Sequence, residues 1–324
     1  MNKIKLKGGS LSSTYLCKIN DHQFVRKTIN LDENREYGYV RWYSQLKKIQ
    51  RFNSLLPDLF PRVLNVSFLE NEAFFDIEYF ENYKDLKSLL LNEDFDNSQI
   101  SKINKSLWTA FDMLHSNKLN VNSNSSTLYF KEEVLTKLKD ALKYKIFDDF
   151  THFNNFKIDN KSVPNLINRI DEIENSFSNI SLSSEEYIHG NPTLENTLYS
   201  IDEDRIIFID LYEESMIDSK LLDYSQVLQC SRSLYGLIND NDVVIDENIC
   251  SHDNKVPYTM QLFNALFLDE LRKRGVDMIT IDLLEASQFI RMLPFKCAAG
   301  EYQKAKYFYV HACQLFDKVL ESYG

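Results

Sequence analysis

One stretch of the sequence combines residue types and spacing that suit phosphate and metal chemistry. A polar turn opens at His189-Gly190-Asn191 and reaches Asn196, and an apolar strand pattern then ends at Asp210. Asn196 and Asp210 would bring an amide oxygen and a carboxylate to the two edges of a hairpin. Mg²⁺ binds a few such hard oxygens together with water and phosphate oxygens. The pattern therefore predicts a magnesium site, with an ordinary β-hairpin that has Asn and Pro in its turn as the alternative.

The composition limits the kind of protein that carries this stretch. The chain has 324 residues, of which 44% are hydrophobic and 26% are charged, as in soluble globular proteins. It contains only 8 glycines and 6 prolines, which argues against a loop-rich barrel or sandwich and favours a largely helical chain with some strand. The net charge of −11 argues against a general DNA- or RNA-binding protein, which needs a basic surface.

The cysteines and the apolar segments indicate a cytoplasmic protein. Five cysteines are dispersed without any Cys-x-x-Cys pair, which is typical of reduced thiols, and the dispersed histidines show no zinc pattern. The sequence begins without the apolar core of a signal peptide. No apolar run approaches the roughly 18 residues of a membrane span, so we expect no transmembrane segment.

The order of the predicted elements is that of an α+β protein with two lobes. Short β-rich runs at 14–19 and 23–29, a helical pattern at 32–52 and further β-rich runs at 62–69 and 73–79 give the order β-β-α-β-β. Helical patterns then dominate, interrupted by brief strand character between 186 and 210. The helical segments are 84–91, 98–117, 131–146, 163–178 and most of the chain after 219, including three amphipathic helices in 257–322. We predict a β-rich N-lobe at 1–81 and a mainly helical C-lobe at 82–324.

These residues resemble a known superfamily. A Gly-rich start, a strand Lys, a helical Glu and a Glu-Tyr strand end are followed by a helix with Leu-His, the His-Gly loop and a strand-end Asp. This order is similar to the aminoglycoside phosphotransferase and choline kinase superfamily, small-molecule kinases with a protein-kinase-like fold. The family pattern His-Gly-Asp-x-x-x-x-Asn followed by Ile-Asp is matched at 189–210, and Asp223 matches a further family Asp. The resemblance covers about 8–237.

The resemblance implies roles for individual residues. Lys27 would bind the nucleotide phosphates, with Arg26 on the opposite strand face, and Glu36 would pair with Lys27, with Glu33 as its rival. The 189–210 block would supply the Mg²⁺ ligands Asn196 and Asp210, with His189 anchoring the catalytic loop, as His115 would anchor its own helix end. The remaining implied contacts are those of a glycine-rich loop over the phosphates at Gly8, Gly9 and Ser10, and of a hinge that meets adenine at Glu78, Tyr79 and Phe80.

Asn191 departs from the family pattern, which has the catalytic Asp at this place. A neutral amide accepts no proton at useful pH. Phosphoryl transfer depends mainly on positioning and electrostatics, so Asn191 can still orient a hydroxyl and permit slow transfer. Three interpretations stay open: a natural enzyme of low activity, a non-catalytic relative, and an engineered inactivation. Pro192 favours an extended backbone at Asn191, which suits a side chain that projects into a cleft.

The functional expectation is a phosphotransferase that uses ATP and Mg²⁺. The acceptor would be a hydroxyl of a small molecule of the amino alcohol, aminoglycoside or sugar type. The run Leu211-Tyr212-Glu213-Glu214 suits a cationic acceptor, with a solvated acidic turn as the alternative. Two other functions stay open: a non-catalytic nucleotide-binding regulator or scaffold, and a helical interaction protein. Nothing in the sequence distinguishes a monomer from a dimer.

Overall fold

The computed structural model describes residues 2–6, 12–33, 35–119, 124–213, 215–253 and 255–323. The chain divides into two compact units. The first comprises Met1–Leu89, Lys105–Leu114 and His189–Ser215, and the second comprises Leu90–Asn104, His115–Ile188 and Met216–Gly324. The lobe boundary predicted near residue 81 stays a prediction.

The first unit is built around an antiparallel five-stranded sheet with the order β1-β2-β3-β5-β4. Its strands are β1 (Asn2–Lys5), β2 (Ser13–Ile19), β3 (His22–Asn30), β4 (Val63–Phe68) and β5 (Glu72–Glu78), and its helix is α1 (Tyr37–Leu55). Trp42, Leu46 and Ile49 repeat at helical spacing and are buried. Trp42 lies 5.3 Å from Phe75 between ring centroids, so α1 packs on the face of the sheet that carries Phe75.

A second, three-stranded sheet in this unit carries the predicted hairpin. Its order is β10-β9-β6, with β6 (Lys84–Asp85), β9 (Thr197–Ser200) and β10 (Arg205–Phe208). Phe208 at the end of β10 is fully buried against Phe60 and Phe111. The backbone N–H of Phe208 also donates to the carbonyl of Leu59 at 2.8 Å. This packing fixes the point at which the strand gives way to Asp210.

The second unit is mainly helical. A four-stranded sheet with the order β11-β12-β7-β8 joins its helices. The strands are β7 (Asn155–Ile158), β8 (Lys161–Pro164), β11 (Val244–Asp246) and β12 (Ile249–Ser251). The remaining helices are α2 (Leu86–Leu90), α3 (Asn97–Leu114), α4 (Ser125–Tyr129), α5 (Lys137–Leu142), α6 (Ile170–Ser178), α7 (Lys220–Ser231), α8 (Tyr235–Asp240), α9 (Tyr258–Lys273), α10 (Met278–Ala298) and α11 (Tyr302–Tyr323). Helices α2 and α3 each have residues in both units. A π-helical segment, Phe130–Thr136, continues α4 into α5.

The predicted α+β class is confirmed. The predicted order β-β-α-β-β is observed as β2-β3-α1-β4-β5, but the chain starts with one more strand, β1, that the sequence did not predict. The three C-terminal amphipathic helices are confirmed as α9, α10 and α11. The helix predicted at 163–178 is partly wrong, because β7 and β8 form a hairpin that extends to Pro164. Asp159 and Asn160 form the turn of this hairpin and have positive φ angles. Asp and Asn favour such turns, but the spacing of the apolar residues does not show them.

The five cysteines are all free and buried, as predicted. None of the helices formed by the described residues has the length and apolar character needed to cross a membrane.

Candidate functional site

Lys27, Gln45 and Asp210 meet in the first unit. The ammonium of Lys27 donates to Oδ1 of Asp210 and, at 2.8 Å, to the side-chain oxygen of Gln45. The amide nitrogen of Gln45 donates to the same Asp210 oxygen at 3.0 Å. Lys27 is only 9% exposed, and these two partners satisfy its ammonium group in place of water. Arg26 lies on the other face of the strand and pairs with Asp76 through two bonds of 2.6 and 2.8 Å.

Asp210 combines an unusual backbone with a stabilised charge. Its φ angle is +57°, in the left-handed region that residues other than glycine seldom occupy. Such conformations cluster at functional sites, where the surrounding structure enforces them. Burial disfavours the ionised carboxyl, but the Lys27 ammonium and the Gln45 amide outweigh that effect and keep the pKa of Asp210 below its ordinary value. Asp210 is therefore an anion at neutral pH.

His189 anchors the loop that leads to Asn196. Its ring is fully buried and packs edge-on against Phe208. Nδ1 accepts a hydrogen bond from the backbone N–H of Asn191 at 3.0 Å. Nε2 must then carry the proton, and it lies 2.9 Å from the carbonyl oxygen of Ile209. Because the backbone engages both nitrogens, the geometry gives His189 a structural role and not that of a proton acceptor for substrate.

Gly190 is required by the shape of this loop. Its φ angle is +84°, and a Cβ atom at this position would lie 2.6 Å from Oγ of Ser215 and 3.1 Å from Cβ of Tyr212. A side chain would therefore meet both conformational strain and crowding.

Asn191 and Asn196 are held through the backbone with their ligand-binding atoms available. The carbonyl of Asn191 accepts from the N–H of Thr193 at 2.8 Å and from the amide nitrogen of Asn196 at 3.0 Å. The Asn196 side chain thus uses its nitrogen, and its oxygen has no hydrogen bond within the described residues. The side-chain amide of Asn191 likewise makes no hydrogen bond to any residue that the structure describes.

The donor set fits a divalent cation such as Mg²⁺. The N–H of Ile209 donates to the backbone carbonyl of Asn196 at 2.9 Å, which places Asn196 beside the residue that precedes Asp210. Asp210 offers a second carboxylate oxygen, since Lys27 and Gln45 both use Oδ1. One carboxylate and one amide oxygen suit a metal that keeps several waters or phosphate oxygens. The described residues contain no cluster of three or more His, Cys, Asp and Glu side chains that could hold a metal without such help.

Two of the sequence-based assignments need correction. Lys27 was expected to pair with Glu36 or Glu33, but both are exposed and Lys27 bonds to Gln45 and Asp210. The reason is that α1 begins at Tyr37, so Glu36 lies at its N-terminal end, whereas Gln45 lies over two turns further along. For Glu213 the sequence left open a contact with a cationic acceptor and a solvated acidic turn. Its side chain is 5% exposed and forms an ion pair with Arg41, so it is not a solvated acid. Glu214 lies outside the described residues.

The other predicted residues are placed as follows. Gly8, Gly9 and Ser10 lie outside the described residues. The N–H of Glu78 donates to the carbonyl of Arg62 at 3.0 Å, and the Glu78 carboxylate pairs with the Arg62 guanidinium. The ring of Phe80 packs on Tyr83, with 5.1 Å between centroids. The nucleotide contacts assigned to these residues stay predictions.

A contact that the sequence did not reveal lies in the second unit. Nε2 of His115 is 2.9 Å from Oδ2 of Asp223, and both side chains are buried. The two residues had been singled out separately, His115 at a helix end and Asp223 at the start of another. Their contact gives His115 the structural role that was expected of it.

The fold is of the protein-kinase-like class, with a β-rich N-terminal part and a helical C-terminal part. No family model matches the sequence. No curated protein sequence matches it either. Among solved structures, the chain is similar to one from Haemophilus somnus 129PT described as a "Putative fructosamine-3-kinase", with a TM-score of 0.53 and 10% sequence identity. That similarity covers 99% of this chain and 90% of the other, and it shows the shared fold.

Proposed function

We propose that the protein is an ATP- and Mg²⁺-dependent phosphotransferase that acts on a hydroxyl of a sugar-type small molecule. One observation carries the proposal: Lys27 contacts Asp210 while the loop from His189 to Asn196 is hydrogen-bonded to the residue before Asp210. In this proposal they serve as the lysine, the acid and the loop of phosphoryl transfer on this fold. The similar structure, described as a "Putative fructosamine-3-kinase", supports the same class.

Each residue then has a part in the reaction. Asp210 and Asn196 would hold Mg²⁺, which neutralises charge on the phosphates when bound. Lys27 would orient the phosphates through its ammonium. Asn191 would orient the acceptor hydroxyl through its side-chain oxygen. The hydroxyl oxygen bonds to the γ-phosphorus as the bond to ADP breaks, and the hydroxyl proton passes to water because an amide does not accept it.

The internal ion pairs support an acceptor that is recognised through hydroxyls rather than through several ammonium groups. Glu213 is neutralised by Arg41, and Glu195 lies 2.6 Å from the ammonium of Lys87. These two acids would otherwise attract a polycationic aminoglycoside. Their pairing leaves less negative charge near the loop, which favours a sugar-type acceptor over a polyamine.

The test measures ADP release with Mg²⁺ and ATP in the presence of sugars, amino sugars, amino alcohols and aminoglycosides. We expect turnover with a sugar-type acceptor and none with Asp210→Ala, with exposed Asp58→Ala as the control. Turnover only with polyamine acceptors would contradict the proposed substrate class.

Asn191 favours a second candidate, a non-catalytic regulator that binds nucleotide. Binding is measured as the rise in melting temperature with Mg-ATP, which for a ligand at 100 times its dissociation constant corresponds to about 2.7 kcal/mol of added stability. Binding without turnover for any acceptor would support the regulator. An unchanged melting curve would exclude both functions and favour an interaction protein.

A further inference from the structure

One face of α1 is polar and reaches the chain around Asp210. Arg41, Gln45 and Lys48 are spaced by about one helical turn, so their side chains share a face. Arg41 pairs with Glu213. Lys48 donates to the backbone carbonyl of Tyr212 at 2.5 Å. Gln45 lies at the centre of this polar stripe, and the three side chains together contact every residue of the segment 210–213.

Gln45 uses both ends of its amide group. Its oxygen accepts from Lys27 at 2.8 Å, and its nitrogen donates to Oδ1 of Asp210 at 3.0 Å and to the carbonyl of Leu211 at 2.8 Å. The side chain is 9% exposed, so losing these bonds would leave buried polar groups without partners. A single neutral group thus joins the candidate phosphate-binding lysine to the candidate metal ligand and to the backbone that follows it.

A glutamate at this position would behave differently, although it has nearly the same shape. Its second oxygen would lie where the Gln45 nitrogen now lies, 3.0 Å from the Asp210 carboxylate, and the two negative charges would repel. It would also present an acceptor to the carbonyl of Leu211, which needs a donor. The amide nitrogen is therefore the part of Gln45 that keeps Asp210 and Leu211 in place.

We propose that Gln45 is a positioning residue, which orients Asp210 for a divalent cation and leaves Lys27 without a carboxylate partner on α1. The inference rests on the proposed function, because it concerns the same site. Among the described residues, Asp210 is the one anion paired with Lys27. A cation bound to Asp210 would compete with Lys27 and release its ammonium toward a phosphate. Cation and nucleotide should therefore strengthen each other's binding, as linkage requires.

The experiment measures the affinity of the full chain for ADP by calorimetry, with and without Mg²⁺. The variants are Gln45→Glu, which keeps an acceptor for Lys27, and Gln45→Met, which removes every polar contact at similar volume. The control is Gln50→Glu, the same change at an exposed position of the same helix. In the wild type Mg²⁺ should raise ADP affinity. In both Gln45 variants this enhancement should fall about tenfold or more, the effect of losing a hydrogen bond to a charged group.

A second readout does not depend on ligand. The N–H of Tyr212 donates to the carbonyl of His189 at 3.2 Å. Hydrogen exchange at this amide should be faster in both variants than in wild type or Gln50→Glu, because Leu211 loses its donor. A global loss of structure would instead raise exchange throughout the first unit and lower the melting temperature, so these two measurements distinguish it from a local change around Tyr212.

The results separate the inference from the function on which it rests. If Gln45→Glu keeps the full Mg²⁺ enhancement while Gln45→Met loses it, Gln45 serves Lys27 alone and the positioning of Asp210 is overturned. Wild-type behaviour in both variants would overturn it as well. If the wild type itself binds no ADP with Mg²⁺, the proposed function fails and the inference with it.

Discussion

The imidazole of His189 joins the two halves of the candidate site, since Nδ1 accepts from the N–H of Asn191 at 3.0 Å and Nε2 donates to the carbonyl of Ile209 at 2.9 Å. Asn191, which departs from the pattern of the superfamily that the sequence resembles, and Ile209, which precedes the candidate metal ligand Asp210, thus depend on one buried ring. The neutral tautomer with the proton on Nε2 satisfies both contacts at once.

Replacing His189 should therefore weaken the loop. His189→Phe keeps the packing on Phe208 but removes the ring partner of two part-buried groups, the N–H of Asn191 and the carbonyl of Ile209. We expect the free energy of unfolding to fall by about 2–4 kcal/mol, the cost of two orphaned polar groups. Urea denaturation measures this change. The exposed His22→Phe serves as the control, and an equal loss there would show that the hydrogen bonds of His189 are unimportant.

Gly190→Ala should lower the free energy of unfolding by more than the same substitution at another glycine with a positive φ angle. Gly300 has a φ angle of +73° but open space around a Cβ atom, so Gly300→Ala should cost only the backbone term of about 1–2 kcal/mol. At Gly190 the contact with Ser215 adds to that cost. In a Ser215→Ala background the cost of Gly190→Ala, measured by urea denaturation, should fall without vanishing. Equal costs at both glycines would contradict the crowding.

Asn191→Asp should increase phosphoryl transfer if the rest of the site is competent. A positioned base is worth about 10²–10⁴-fold in rate, so a gain of at least about tenfold in ADP release is expected. ADP affinity should stay nearly constant, because no described contact joins this side chain to Lys27 or Asp210. The exposed Asn168→Asp provides the same change of charge as a control. Faster turnover in the Asn form than in the Asp form would contradict the role given to Asn191.

His311 should make stability depend on pH below neutrality. Its ring packs against Phe289, with 4.7 Å between centroids, and against Tyr307. Burial lowers the pKa of His311 to about 4; Asp159 and Gln314 oppose the shift and His252 adds to it. In the unfolded chain this histidine binds a proton near pH 6.5. The contribution of His311 to the stability of the folded state is therefore complete above that pH and is lost as the pH falls toward 4.

The loss should reach about 3 kcal/mol, at 1.36 kcal/mol for each pH unit between the two pKa values. Urea denaturation at pH 7, 5.5 and 4 measures it. His311→Phe should reduce the pH dependence, because the apolar ring fills the same site without titrating. An identical pH profile in wild type and variant would contradict this assignment.

Local sequence determined much of the candidate site. The spacing from His189 to Asn196 and the apolar strand that ends at Asp210 lie within one hairpin, so their relationship follows from strand and turn patterns alone. The order β2-β3-α1-β4-β5 was equally readable, because its strands are short β-rich runs bounded by turn residues, whereas β1 was not predicted. Gln45 left only a weak signal, as one of three polar residues at helical spacing on a helix with an aromatic face.

The tertiary structure decided which residues meet. Gln45 and Asp210 are 165 positions apart, and Arg41 and Glu213 are 172 apart. Such contacts depend on where α1 begins and on how Trp42 packs against the sheet, and a shift of one turn would have brought another side chain to Lys27. Periodicity shows which face of a helix is polar, but packing over the whole unit fixes what that face touches. For that reason the sequence identified Lys27 and Asp210, and only the fold showed that Gln45, rather than Glu36, joins them.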